Sequence, residues 1–112
     1  MPIQKWSEQI WVVQLSGEPV LSEDLISLPQ QAYGGDDAPH CVISMEDVTH
    51  LNSTNLSQML RLRKAAIDHG AKLVLAAVPD AVWVVFLTTG LDNIFEFSPD
   101  VSTALASLQL SQ

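Results

Sequence analysis

A single cysteine, Cys41, is all the thiol chemistry in these 112 residues, so no disulfide can close within the chain. Positive charge is scarce: five lysines and arginines stand against 13 aspartates and glutamates, a formal net charge of -8. That imbalance repels nucleic acid and anionic membrane surfaces over the range of a Debye length, and it points to a protein partner with a basic surface. Long apolar runs are missing too. The longest, Ala76 to Leu87, is broken by Pro79-Asp80 and falls well short of the roughly 20 residues needed to cross a bilayer. The opening MPIQKWSEQIW has neither the basic n-region nor the apolar h-region of a secretory signal, so the expected compartment is the cytoplasm.

Chemistry-bearing constellations are equally sparse. His40, Cys41, His50 and His69 are the soft-metal ligand types present, but neighbours such as His40 and Cys41 on one strand point to opposite faces, so no metal site is expected. Gly34-Gly35 lacks the Lys-Ser/Thr of a phosphate-binding loop, and Asp36 and Asp37 beside it would repel phosphate. No Cys-His-Asp or Ser-His-Asp spacing stands out from chance. The sequence therefore reads as a non-enzyme that needs no cofactor.

What is present is a core. With 47% hydrophobic residues the chain is expected to pack as one domain spanning residues 1–112. Ile3 to Trp6 and Ile10 to Leu15 read as a hairpin, and Leu21, Leu25 and Leu28 as a helix capped by Ser22 and ended or kinked at Pro29. His40 to Met45 and Lys72 to Ala76 read as buried strands. A helix is expected from Ser53 to His69, stopped at Gly70. Local propensity leaves Asp80 to Thr89 undecided, because β-branched content favours strand while the flanking Pro79 and Gly90 favour helix. Ile94 to Phe97 reads as a short strand, and Ser98-Pro99-Asp100 as the cap of a last helix. Strands alternating with helices after a hairpin imply an α/β fold with a mixed sheet and right-handed crossovers.

The most informative stretch is Val48 to Ser57, VTHLNSTNLS, which places a polar Asn-Ser-Thr-Asn cluster between a buried strand and a helix. Unpaired N–H groups and the positive end of the helix macrodipole favour a phosphate at such a junction, whether on a ligand or attached to the protein. Thr54 is the residue of interest there, with Ser53 as the fallback hydroxyl.

This layout, together with Leu15-Ser-Gly-Glu18, the Leu51-Asn-Ser-Thr-Asn-Leu56 loop and Thr89-Gly-Leu-Asp-Asn-Ile-Phe95, resembles the STAS domain of anti-sigma factor antagonists over nearly the whole chain. The resemblance implies a four- to five-stranded mixed sheet with about four helices. The family loop usually reads Asp-Ser-Ser/Thr-Gly-Leu and its second hydroxyl residue is phosphorylated by an anti-sigma factor serine/threonine kinase; on this sequence that residue is Thr54. Asn52 stands where the family has Asp and Asn55 where it has Gly. The implied function is a phosphorylation-controlled interaction switch, with Asn52, Ser53, Thr54, Asn55, Ser57 and Arg61 as partner contacts. Two alternatives stay open: an accessory subunit of a lipid-trafficking ABC transporter, and a constitutive, non-phosphorylated scaffold such as a stressosome-like component.

Two further surfaces draw attention. Arg61, Arg63 and Lys64 supply three of the five basic residues and lie on the helix after the loop, either as a solvated face or as contacts for an acidic patch. Ala81 to Leu87 would be apolar all round as a helix. Trp83, Val84 and Leu87 occupy positions that are often polar in STAS sequences, so an exposed apolar patch and a homodimer through it are expected.

Overall fold

The computed structural model describes residues 1–110. Its elements are β1 (Ile3–Lys5), β2 (Ile10–Gln14), α1 (Val20–Tyr33), β3 (His40–Ser44), α2 (Ser53–Asp68), β4 (Leu73–Ala76), α3 (Asp80–Thr89), a 3-10 turn (Leu91–Asn93), β5 (Glu96–Ser98) and α4 (Val101–Leu110). The five strands lie in the order β1-β2-β3-β4-β5. β1 pairs antiparallel with β2, and every later pairing is parallel. The expected mixed α/β sheet is thus the observed one.

The strand order decides where the helices go. Each crossover from β2 to β5 moves one position in the same direction, and right-handed connections then put α1, α2 and α3 on one face. On that face Val13, Leu15, Ile43, Met45 and Leu75 pack with Leu21, Leu25, Leu28, Met59, Leu62, Val82 and Phe86 in the larger core cluster. The other face is covered by α4, whose Ala104 and Leu108 close over Ile10, Val42, Val74 and Ala76. Strand residues alternate between the two cores as the pleat requires: Ile43 faces the three helices and Val42 faces α4.

One segment left open is resolved and three local expectations are corrected. Asp80 to Thr89 is helix, with Gly90 just beyond it in the left-handed conformation at φ 75°. Tertiary packing settles what propensity left open, because Val82 and Phe86, one turn apart, are both wholly buried. α1 does not end at Pro29 but continues to Tyr33. Proline there forgoes one helical bond, and the buried stripe of Leu25, Leu28 and Ala32 on either side of it holds the helix together. Ser22 is not the α1 cap but its third residue, and Glu18 takes the capping role. At α4 the Asp100 carboxylate accepts the Thr103 N–H at 2.7 Å, while the Ser98 hydroxyl donates to the Asp100 carbonyl, so the cap is Asp100. The Thr103 N–H, and then the Thr103 side chain, hold the Asp100 carboxyl below the usual carboxylate range.

Candidate functional site at the start of the second long helix

The turn between β3 and α2 opens at the carboxyl end of the parallel strands, beside the start of α1. That is the end at which open α/β sheets bind ligands and partners. Met45 and Val48 are buried and anchor the turn, with the Val48 N–H donating to the Met45 carbonyl at 3.0 Å. From there the chain surfaces, and Asn52, Ser53 and Thr54 are all exposed.

Asn52 is the N-cap of α2. Its side-chain oxygen accepts the Asn55 N–H at 2.8 Å, and the Asn55 side-chain oxygen accepts the Asn52 N–H at 3.0 Å. The two asparagines form a reciprocal capping box and satisfy a backbone donor at each end. Ser53 and Thr54 fill the first two helical positions, where backbone N–H groups have no partner within the helix. Among the described residues the Thr54 hydroxyl has no hydrogen-bond partner, so it faces solvent unencumbered.

Asn55 does not face outward as the partner-contact expectation required. It is wholly buried, because its amide bridges α2 to α1. Its NH2 donates to the Ser22 hydroxyl at 3.3 Å, and that hydroxyl donates to a Glu18 carboxylate oxygen at 2.5 Å. The other Glu18 oxygen accepts the Ser22 N–H at 2.6 Å. The Ser22 side chain and then its N–H stabilise the ionised form and lower the Glu18 pKa. The sequence reading assigned Ser22 only a capping role on its own helix and Glu18 none at this turn. The signal available was a carboxylate four residues before a helical serine, and its link to Asn55 spans 33 positions.

Down the exposed side of α2, Ser57 and Arg61 follow Thr54 at helical spacing and are both exposed. The three basic residues part company. Lys64 pairs with Asp68 at 2.7 Å. Arg63 is half-buried and donates from Nε to the Ile94 carbonyl at 3.2 Å, tying α2 to the turn before β5. Arg61 makes no ion pair among the described residues. Only Arg61 stands free on the same side as Thr54 and Ser57.

The α3 surface is apolar. Val84 and Leu87 are 53% and 48% exposed, whereas Trp83 is half-buried, edge-on to Phe97 with ring centroids 4.8 Å apart. Beside it lies an open groove of about 270 Å³ lined by Val78, Trp83, Phe97, Ser98 and Pro99.

Comparison with known proteins agrees with this architecture. The STAS domain model matches residues 4–104, and the chain belongs to the STAS domain family. Among solved structures it is similar to a candidate anti-sigma factor antagonist from Thermotoga maritima, with TM-score 0.82 and 14% identity over 96% of this chain and 93% of that one. It is also similar to a serine-to-glutamate variant of RsbS from Moorella thermoacetica, with TM-score 0.79 and 20% identity over 100% of both chains. The anti-sigma factor antagonist SpoIIAA in its unphosphorylated form matches with TM-score 0.78 and 13% identity, covering 96% of this chain and 95% of that one. At these identities the likeness is one of fold.

Proposed function

We propose that the protein is an anti-sigma factor antagonist, a non-enzymatic switch that binds an anti-sigma factor serine/threonine kinase in the cytoplasm and is released when Thr54 is phosphorylated. The observation that carries this reading is the position of Thr54: exposed, in the first turn of α2, with no competing hydrogen bond. A phosphate adds about -1.5 to -2 charges, which a helix N-terminus tolerates, while its bulk and charge block a complementary surface. The domain stays folded and the contact fails. Ser53 is the neighbouring alternative acceptor. Asn52, Ser57 and Arg61 form the remaining partner surface, and Asn55 supports it from inside.

Affinity capture from native lysate with wild type, Thr54→Ala and Thr54→Glu, followed by mass spectrometry of partners and phosphosites, tests the switch. Recovery of an anti-sigma kinase by wild type and Thr54→Ala but not by Thr54→Glu supports it. Identical partners for all three, with Thr54 unmodified, overturns it in favour of a constitutive scaffold.

The exposed Val84 and Leu87 favour a second, compatible reading, self-association through α3. Because Trp83 is packed against Phe97, Leu87→Lys probes the surface with less damage to the core. Under that reading, light scattering gives a dimer for wild type and a monomer for the variant. A monomeric wild type removes it.

A further inference from the structure

The acceptor turn carries an exposed amide at Asn52 and a buried one at Asn55, and both belong to one hydrogen-bonded network. The Asn55 NH2 donates to the Ser22 hydroxyl, which donates to Glu18, while the Asn55 oxygen and N–H are exchanged with Asn52. Three of these bonds, from the Asn52 N–H through the Asn55 amide and the Ser22 hydroxyl, run in one direction toward the Glu18 carboxylate, so each polarises the next. A glycine at position 55 would keep only its N–H bond to the Asn52 side chain and lose the links to the Asn52 N–H and to Ser22.

We propose that Glu18 and Ser22 are positioning residues for the acceptor turn: through Asn55 they hold the first turn of α2 that presents Ser53 and Thr54. This deepens the switch reading and rests on it for its biological meaning. Recognition of the turn then depends on two helix starts that are distant in sequence. A substitution at Glu18 or Ser22 alters presentation of Thr54 with no change in the turn itself.

The geometry makes the claim measurable without partner or kinase. The Asn52 and Asn55 N–H groups are the two donors closed by the capping box, so their hydrogen exchange reports whether the turn is held. In the isolated domain, followed by NMR, Ser22→Ala is expected to speed exchange at both amides about fivefold, the loss of one supporting hydrogen bond. Ser22→Thr, which keeps the hydroxyl, restores the wild-type rate, and Glu18→Gln falls between. In an Asn55→Gly background, Ser22→Ala adds nothing at residue 55, whose N–H can still bond the Asn52 side chain. The Ala104 N–H in α4, bonded to the Asp100 carbonyl at 3.2 Å, controls for global destabilisation.

Unchanged exchange at Asn52 and Asn55 in Ser22→Ala overturns the proposal. An equal increment in the Asn55→Gly background does so too, since the effect would then travel by packing and not through the amide. The failure of the switch reading is separate: coupled amides in a domain whose Thr54 is never modified leave the positioning role intact and remove its regulatory use.

Discussion

Asn52 and Asn55 cap each other, each side-chain oxygen accepting the other's backbone N–H, at 2.8 and 3.0 Å. One member of the pair is exposed and the other wholly buried. The exposed one can be altered without opening the helix interface. Asn52→Ala should cost about 1 kcal/mol, the usual loss for an N-cap side chain. Asn52→Asp keeps the acceptor and places a negative charge at the helix N-terminus, so it should match or exceed wild type by about 0.5 kcal/mol. Urea unfolding of the two variants checks the order.

Thr54→Glu should leave the domain as stable as wild type, or more stable by about 0.5 kcal/mol, because a carboxylate in the first turn of α2 interacts favourably with the helix dipole. Thermal denaturation is the measurement. A fall in Tm of several degrees would mean that any loss of partner binding by this variant reports unfolding and not the switch.

α3 offers a contrast between adjacent residues. Phe86 is wholly buried and packs edge-on against Phe95 and Phe97, with centroids 5.9 and 5.2 Å away, whereas Leu87 is half-exposed. Phe86→Ala should cost about 3–5 kcal/mol, and Leu87→Ala under about 1 kcal/mol. Denaturant midpoints of the two variants compare them directly.

His40 makes part of the stability depend on pH. Its Nδ1 accepts the Lys72 N–H at 2.9 Å, which only the unprotonated nitrogen can do. Burial, and then the Lys72 charge, hold its pKa below the ordinary 6.5. Below pH 6.5 the unfolded chain therefore binds more protons at this site than the folded one. The contribution is fully present above 6.5 and is lost as pH falls toward the folded value. Urea midpoints should decline from about pH 7 to 5, and His40→Asn, which keeps an acceptor of similar reach, should flatten that decline. The lowered pKa values of Glu18 and Asp100 act at more acidic pH, since their stabilisation is lost only below the ordinary carboxylate values of 4.5 and 3.8.

Much of this architecture was legible because it is written in local patterns. The alternation of Trp11, Val13 and Leu15, the stop at Gly70 and the polar cluster before Leu56 each follow from short-range physics, and each element lies where they place it. The two misreadings and the one segment left open share a cause. Ser22 looks like a cap from its own neighbourhood, yet its hydroxyl is committed to Glu18 and Asn55, the latter on another helix. Asn55 looks like a surface residue beside a loop, and only the packing of α1 on α2 buries it. Phe86 and Val85 favour a strand by composition, and the need to cover Leu75 and Phe95 makes the segment a helix. Long-range contacts decided the last two and the Asn55 half of the first, and sequence spacing carries no record of them.

The strand order also has a bearing on how the chain acquires its shape during synthesis. Each strand after the first docks beside the one made just before it, so the sheet can grow by addition at one edge as the polypeptide emerges, with no strand waiting for a later one to be inserted. The exception is the last helix: until α4 appears, Val42 and Val74 lie bare on the second face. A nascent chain halted before Val101 would carry a nearly finished sheet with one greasy side, which is the species a chaperone should hold longest.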